Sequence, residues 1–160
     1  LAIVELARTV SGLNGNIGLL SMNGEITREP LLQESYAESD PQISPNDKWM
    51  AYTSNESGQH EVYIRPFPDV NKNKWQVSTG GGSSPLWAPD GQELFYRSGN
   101  AAISVPVDTE PSLKLGYPTV LFRANYVSHF LYEAHPWDIS PDGKRFLMMK
   151  HNGLAKKRLK

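Results

Sequence analysis

One turn motif occurs three times along this chain, at residues 44–52, 88–96 and 140–148. Each copy starts with a small residue and a proline, continues with Asn-Asp or Asp-Gly, and ends in an apolar run. Asn, Asp and Gly tolerate the positive φ of a tight turn, so the apolar runs on either side predict the two strands of a β-hairpin. The copies are 44 and 52 residues apart, and a period of this length constrains the fold more than any other feature of the sequence.

Further strand-like runs fill each period between the hairpins. Two such runs follow each of the first two motifs, which brings every complete period to about four strands. Pro66 and Pro106 lie at matching places in the third run, and proline there predicts a strand near an edge that lacks a neighbour on one side. The predicted runs beyond the hairpins are 1–6, 16–22, 26–32, 61–67, 74–79, 101–107, 117–122 and 145–150.

Four strands in a period of about 40 to 50 residues are typical of a β-propeller blade, a small twisted sheet that cannot bury both faces alone. We therefore predict an all-β chain that forms a partial β-propeller of about three blades, each a four-stranded antiparallel sheet. A solenoid of β-hairpins is the alternative, but solenoid repeats are typically shorter. The predicted units are an incomplete blade at 1–38, blades at 39–82 and 83–124, a partial blade at 135–150, and a polar, basic tail at 151–160.

Composition excludes several classes of protein. The 13 glycines and 12 prolines argue against long helices. With 16 basic and 17 acidic residues, the chain has no overall charge that would hold it on nucleic acid or an anionic membrane. It has no cysteine for a disulfide and no run of about 18 apolar residues for a membrane span. We expect no nucleic-acid partner and no membrane insertion, and because Leu1 lies inside a predicted strand we expect a domain cut from a longer protein.

The sequence lacks the spacings that mark catalytic and metal sites. The run Gly80–Ser84 is glycine-rich, but a phosphate-binding P-loop needs Gly-Lys-Ser/Thr at the start of a helix. Here Pro85 and a strand follow, so a loop between blades is the better interpretation. The four histidines show no His-Glu-x-x-His spacing, and no Gly-x-Ser-x-Gly is present. We expect no catalytic residue, no metal and no cofactor.

An irregular segment at 125–136 lengthens the second interval between motifs from 44 to 52 residues. Long loops often carry function, and aromatic side chains dominate binding hot spots. We expect the aromatic residues in and beside this segment to be exposed, whereas most of the other aromatic residues should lie between blades. The predicted ligand-binding patch consists of Tyr126, His129, Phe130, Tyr132, His135 and Trp137.

The stretches that carry the repeat are similar to those of a known family. The motif Ser-Pro-Asp-Gly-Lys-Arg-Phe-Leu at 140–147 and its variants resemble the TolB-type, WD-repeat-like β-propeller. The likeness is closest to the C-terminal propeller that is attached to some bacterial serine/threonine protein kinases. It extends over residues 16–149, and the stretches that carry it are 44–52, 49–58, 61–68, 75–82, 88–96 and 140–147.

This resemblance implies a fold and a setting. Propellers of the family usually have six or more blades, more than one chain of this length supplies. They often lie outside the cytoplasm, so the resemblance implies a periplasmic location. The glycine-rich loop, the His-Arg-Asp and the Asp-Phe-Gly of a kinase are absent, and kinase activity is therefore not implied.

Two functions remain open at this point. One is a non-catalytic propeller scaffold or sensor that binds a protein, a peptide or a small ligand. The alternative is an accessory domain of an enzyme, a kinase or a prolyl-oligopeptidase-like peptidase, whose catalytic part lies outside this chain. Because the first and last units are incomplete, we also expect a homodimer through edge strands or strand exchange, in which residues 137–140 complete the first unit of a second copy. An aggregation-prone fragment with adventitious edge contacts is the alternative to that dimer.

Overall fold

The structure, a computed structural model, describes residues 2–9, 12–21, 24–125 and 137–149. Within these residues it contains fourteen β-strands and no α-helix. It follows that the described part of the chain has no helix long and apolar enough to cross a membrane. The strands are β1 (Ala2–Thr9), β2 (Gly12–Ser21), β3 (Thr27–Leu32), β4 (Glu38–Ile43), β5 (Trp49–Ser54), β6 (Glu61–Pro66), β7 (Trp75–Gln76), β8 (Ser83–Trp87), β9 (Glu93–Ser98), β10 (Ala101–Asp108), β11 (Lys114–Leu115), β12 (Thr119–Arg123), β13 (Trp137–Ile139) and β14 (Phe146–Met148).

These strands form four sheets in chain order, and every pairing is antiparallel. The first sheet has the order β1-β2-β3, and the second has the order β4-β5-β6-β7. In the third sheet β8-β9-β10 are consecutive, and both β11 and β12 pair with the far side of β10. The fourth sheet is the pair β13-β14. The predicted all-β class with antiparallel sheets is confirmed, although Glu38, placed at the end of the predicted first unit, is the first residue of β4 in the second sheet.

The repeated motif forms the same turn in all three copies. The residue at its fourth position has a positive φ of 56°, 72° and 69° at Asp47, Gly91 and Gly143. The N–H of that residue donates to the carbonyl of the small residue that opens the motif, at 2.8 to 2.9 Å. The hairpin therefore depends on local residue chemistry alone, as the motif predicts.

Alternation of side chains along each strand builds a core between successive sheets. Met50 on β5 packs with Ile17 of the first sheet. Ala51, the next residue, faces the other way and packs with Leu94 of the third sheet. A further apolar cluster joins the third sheet to the fourth through Trp137. The second and third sheets thus bury both of their faces.

The two prolines of the third strands lie where the outer neighbour is interrupted. Pro66 lies beyond the two-residue strand β7, and Pro106 lies between the residues of β10 that pair with β12 and those that pair with β11. Both strands lie next to an edge strand, as expected, but the expectation that they lack a neighbour on one side is wrong, because β6 and β10 have neighbours on both sides. Proline is tolerated at these two positions because no outer partner needs its missing N–H.

Candidate functional site

Five of the six residues in the predicted ligand-binding patch lie outside the described residues. They are Tyr126, His129, Phe130, Tyr132 and His135, and their role stays a prediction. The sixth, Trp137, is the first residue of β13.

Trp137 belongs to the core rather than to the surface. Its side chain is 3% exposed, and its indole Nε1–H donates to the carbonyl of Ser84 at 2.8 Å. The ring stacks on Phe146 at 5.4 Å between centroids, and the guanidinium of Arg97 lies 5.8 Å from its centre. The expected exposure is therefore wrong for Trp137, because this first residue of β13 faces the third sheet and joins the two sheets together.

Buried polar side chains gather at one end of the second and third sheets. At this end β4, β6 and β8 begin, and β5 and β9 end. We call it the polar end. Its buried polar residues are Glu38, Thr53, Ser54, Glu61, Ser78, Ser83, Ser84 and Arg97.

A repeated backbone feature links the two sheets at the polar end. Asp40 on β4 and Ser84 on β8 occupy equivalent places in the repeat, and their φ angles are 53° and 52°. The register of each strand shifts at this point, as in a β-bulge. Oδ2 of Asp40 accepts hydrogen bonds from the Thr53 hydroxyl at 3.0 Å and from the Ser84 N–H at 3.3 Å. The carboxylate of Asp40 therefore bridges the second sheet and the third.

Glu61, at the start of β6, is a buried carboxylate, and both of its oxygens accept hydrogen bonds. Oε1 accepts from the Gln59 amide at 2.6 Å and from the Gly81 N–H at 2.9 Å, and Oε2 accepts from the Ser78 hydroxyl. The Gly82 N–H in turn donates to the carbonyl of His60 at 2.8 Å. The glycine-rich run thus uses two of its amides inside the protein, in agreement with the loop interpretation.

Glu38 differs from Asp40 and Glu61 in its hydrogen bonds. It is 1% exposed, yet its Oε2 has no hydrogen-bond partner among the described residues. Burial raises the pKa of Glu38 from 4.5 to about 7, and the negative charge of Glu34 adds to this rise, whereas a backbone hydrogen bond from Glu34 and the charge of Arg65 oppose it. Near neutral pH this carboxyl is therefore balanced between its acid and its carboxylate form.

The groups around Glu38 explain why its oxygen is left without a donor. Arg65 on β6 has its Nε–H on the Tyr52 hydroxyl at 2.9 Å and its Nη1–H on the carbonyl of Val70 at 3.0 Å. Its Nη2 pairs with Glu34 at 3.3 Å. The buried cation whose charge acts on Glu38 is thus engaged by three other acceptors. Burial also raises the pKa of the Tyr52 hydroxyl that accepts from Arg65.

Sequence reasoning missed Glu38, although the repeat carried a signal. When the three motifs are aligned, this position holds Gly82 in the second copy and Ala134 in the third. Glu38 thus places a carboxylate at a position where the other two copies have a small residue. The packing of the repeat does not require this change. Its burial and its unpaired oxygen, however, depend on groups that are distant in sequence.

The opposite end of the second and third sheets carries a shallow groove of about 230 Å³ between successive turns. Its polar groups already satisfy one another: Asn46 accepts from the Ser44 hydroxyl at 2.7 Å, and its amide donates to Thr109 at 3.3 Å. This groove therefore offers less to a ligand than the polar end does. Its lining residues are Ser44, Pro45, Asn46, Asp90, Gly91 and Thr109.

The chemistry available at the polar end is that of a carboxylate. Within the described ranges, no three His, Cys, Asp or Glu side chains lie close enough together to hold a metal ion. Asp40 and Glu61 hold the sheets and the glycine-rich loop in place through their hydrogen bonds. Glu38 retains an acceptor oxygen that a donor or a cation could use.

Comparison with known proteins identifies the fold. No family model matches this chain, and no curated protein is similar enough to match it. Among solved structures, a protein from Agrobacterium tumefaciens assigned as TolB matches over 76% of this chain, with a TM-score of 0.53 and 14% sequence identity. The present chain spans 45% of that structure, which is less than half of its length.

The chain therefore has the fold of a TolB-like β-propeller fragment, as the repeat and the sequence resemblance predict. At this sequence identity the likeness establishes the fold and nothing of what the chain binds. The closer likeness to kinase-attached propellers stays a prediction.

Proposed function

We propose that this chain is a non-catalytic β-propeller scaffold domain, which assembles with a second copy and binds a protein or peptide partner. The observation that carries the proposal is the outer face of the fourth sheet. Leu147 lies at the centre of β14 with its side chain 73% exposed. Its neighbours Phe146 and Met148 pack toward the third sheet, so Leu147 points to the opposite side.

In the second and third sheets, the sheet faces equivalent to this one are covered by neighbouring sheets. The second and third sheets each bury both faces against the next sheet in the row. Among the described residues, the fourth sheet has a neighbour on only one face. An exposed apolar side chain on such a sheet face favours association, because a partner that covers the face removes the side chain from water.

A second copy of the chain fits this face because it carries the same repeat. The first and fourth sheets are the two ends of the row, and β1 pairs only with β2 among the described strands. If the first sheet of one copy packs on the Leu147 face of the other at both contacts, two chains of four sheets each form a ring of about eight blades. This stacking leaves Trp137 in place, whereas an exchange of β13 between copies would remove Trp137 from its core.

The non-catalytic part of the proposal is supported by the use of the polar side chains. The hydroxyl of Ser78 bridges Glu61 and the Val62 N–H, the latter at 2.8 Å. Asp40 is engaged between two sheets. Groups of the type that could act in hydrolysis thus hold the sheets together.

The setting of the domain is part of the proposal and comes from the sequence resemblance. In that setting the chain is the propeller attached to a bacterial kinase, in a periplasmic location. An accessory domain of a kinase or a peptidase remains the alternative function. That function requires partner binding to depend on the catalytic part, whereas a scaffold binds its partner as an isolated chain.

The assembly is tested by molar mass in solution, from light scattering during size-exclusion chromatography at two protein concentrations. We expect the mass of a dimer for the wild-type chain and a shift to monomer for Leu147→Glu, since a charge at this face opposes burial. Leu121→Glu is the matched control because Leu121 is 44% exposed on the outer strand β12 and alternates with Phe122, the residue of that strand that contacts the fourth sheet. We expect it to remain dimeric. A monomeric wild-type chain at both concentrations would overturn the assembly.

A further inference from the structure

Asp40, Glu61 and Glu38 are three carboxylates on the strands of the polar end, and they differ in how their oxygens are hydrogen-bonded. Asp40 and Glu61 receive hydrogen bonds from the protein itself. Oε2 of Glu38 has no hydrogen-bond partner among the described residues, although Glu38 is as deeply buried as Glu61. A buried polar atom of this kind is rare in folded proteins and needs a physical reason.

Electrostatics around Glu38 favour the arrival of a positive charge. Glu34 and Glu56 both raise the pKa of Glu38, whereas the charge of Arg65 lowers it. Each of the three guanidinium nitrogens of Arg65 already contacts another acceptor. Lys74 pairs with Glu56 at 2.5 Å and leaves Glu34 and Glu38 with Arg65 as their shared cation. We call the group Glu34, Glu38 and Glu56 the acidic cluster.

The acidic cluster lies next to solvent, and hydrogen bonds hold together the two loops that surround it. The side chain of Glu34 is 42% exposed, so the cluster meets solvent at Glu34. The two loops that carry Glu34 and Glu56 are tied together by a pair of hydrogen bonds. The Ala37 N–H donates to Oδ1 of Asn55 at 2.9 Å, and the Asn55 N–H donates to the carbonyl of Ala37 at 3.3 Å.

We infer that Glu38, together with Glu34, is a recognition site for the guanidinium group of an arginine in a protein or peptide partner. A guanidinium carries several N–H donors in one plane and can supply the bond that Oε2 of Glu38 lacks while it also contacts Glu34. A metal ion fits less well, because no three ligating side chains converge among the described residues. This inference rests on the proposed scaffold function, because it specifies the chemical group of the partner that the scaffold binds. It does not depend on the formation of the dimer.

The test uses Nα-acetyl-arginine amide as the probe and its uncharged isostere Nα-acetyl-citrulline amide as the control. Binding to the whole chain is followed by NMR through the backbone amide signals of residues 34–40. We expect saturable shifts with the arginine probe and a response at least about tenfold weaker with the citrulline probe, as for the loss of a charged hydrogen bond. Equal responses to the two probes, or none to either, would overturn the inference.

Two variants with the same change of charge locate the site. Glu38→Gln removes the buried carboxylate, and we expect affinity for the arginine probe to fall at least about tenfold. Glu29→Gln changes an exposed residue of β3, and we expect affinity to remain as in the wild type. Unchanged binding in Glu38→Gln would show that the site is wrong. Thermal unfolding of both variants confirms that they are folded, and binding by Leu147→Glu separates this result from the failure or success of the dimer.

Discussion

The carboxylate of Asp40 in the second sheet accepts a hydrogen bond from the backbone N–H of Ser84 in the third, at 3.3 Å, and both residues have a left-handed backbone. They occupy equivalent places in the repeat. The bulge at one residue turns its carboxylate toward the next sheet, and the bulge at the other residue presents its amide to that carboxylate. The same irregularity in two successive sheets thus makes the contact between them.

Substitutions at Asp40 separate its backbone from its carboxylate. We expect Asp40→Ala to lower the free energy of unfolding by about 2 to 4 kcal/mol, because Ala disfavours a φ of 53° and removes the acceptor. Asp40→Gly keeps the backbone and removes only the acceptor, so a loss of about 1 to 2 kcal/mol is expected. Asp40→Asn keeps both an acceptor and a tolerated φ and should lose least. Urea unfolding measures all three, and equal losses would contradict the inter-sheet bond.

The raised pKa of Glu38 predicts a stability that falls as pH rises. The folded pKa is about 7 and the ordinary value is 4.5, so between these values the folded chain holds more protons than the unfolded chain. Stability from this group is therefore greatest below about pH 4.5 and is lost as pH rises through about 7.

We expect Glu38→Gln to abolish this dependence. At about pH 8 the variant should be more stable than the wild type by about 1 to 2 kcal/mol, since one pKa unit corresponds to about 1.4 kcal/mol and solvent beside Glu34 screens part of the effect. At about pH 4 the two should be nearly equal. Urea unfolding at both pH values measures the difference, with Glu29→Gln as the control. A gain of the same size at both pH values would contradict a titrating Glu38.

Two neighbouring glycines differ in the space around them. A Cβ on Gly82 would lie 2.7 Å from Cβ of Ser78 and 3.2 Å from Cδ2 of Tyr96, whereas a Cβ on Gly80 would meet nothing within 4 Å. Ser78 has little freedom to move because its hydroxyl is bonded to Glu61 and to the backbone. We expect Gly82→Ala to lower the free energy of unfolding by about 1 to 3 kcal/mol.

Gly80→Ala is the matched control for this prediction. It should change stability by less than about 0.5 kcal/mol, or raise it slightly by restricting the unfolded chain. Thermal unfolding of both variants gives the comparison. Similar stabilities for Gly82→Ala and Gly80→Ala would mean that the loop rearranges, and the packing role of Gly82 would then be wrong.

The hairpins were predictable because their information is local. The positive φ at Asp47, Gly91 and Gly143 follows from residue types within the turn, and each turn brings its own two strands together. The expected exposure of Trp137 was wrong for the opposite reason. Its burial depends on Ser84 and Arg97 of the third sheet, which reach it only when the third and fourth sheets pack.

For the candidate site too, the residue type could be read from the sequence, whereas the contacts of its side chain could not. A sequence shows that Glu38 is a carboxylate at a position where the repeat otherwise has small residues. It doesn't show that Arg65 is already engaged by Tyr52, Val70 and Glu34. Whether a buried oxygen has a donor depends on groups that only the packed structure brings near it.

The amino-acid sequence by itself determined the repeat, the hairpins and the antiparallel sheets, because the chemistry of a tight turn and the alternation of a strand act over a few residues. The tertiary structure alone decided which carboxylates of the polar end are satisfied. It brings the Ser84 amide to Asp40 and the Ser78 hydroxyl to Glu61, and within the described part of the chain it brings no donor to Oε2 of Glu38. The physical reason is that these bonds join residues of different strands and sheets, so they exist only once those elements have packed.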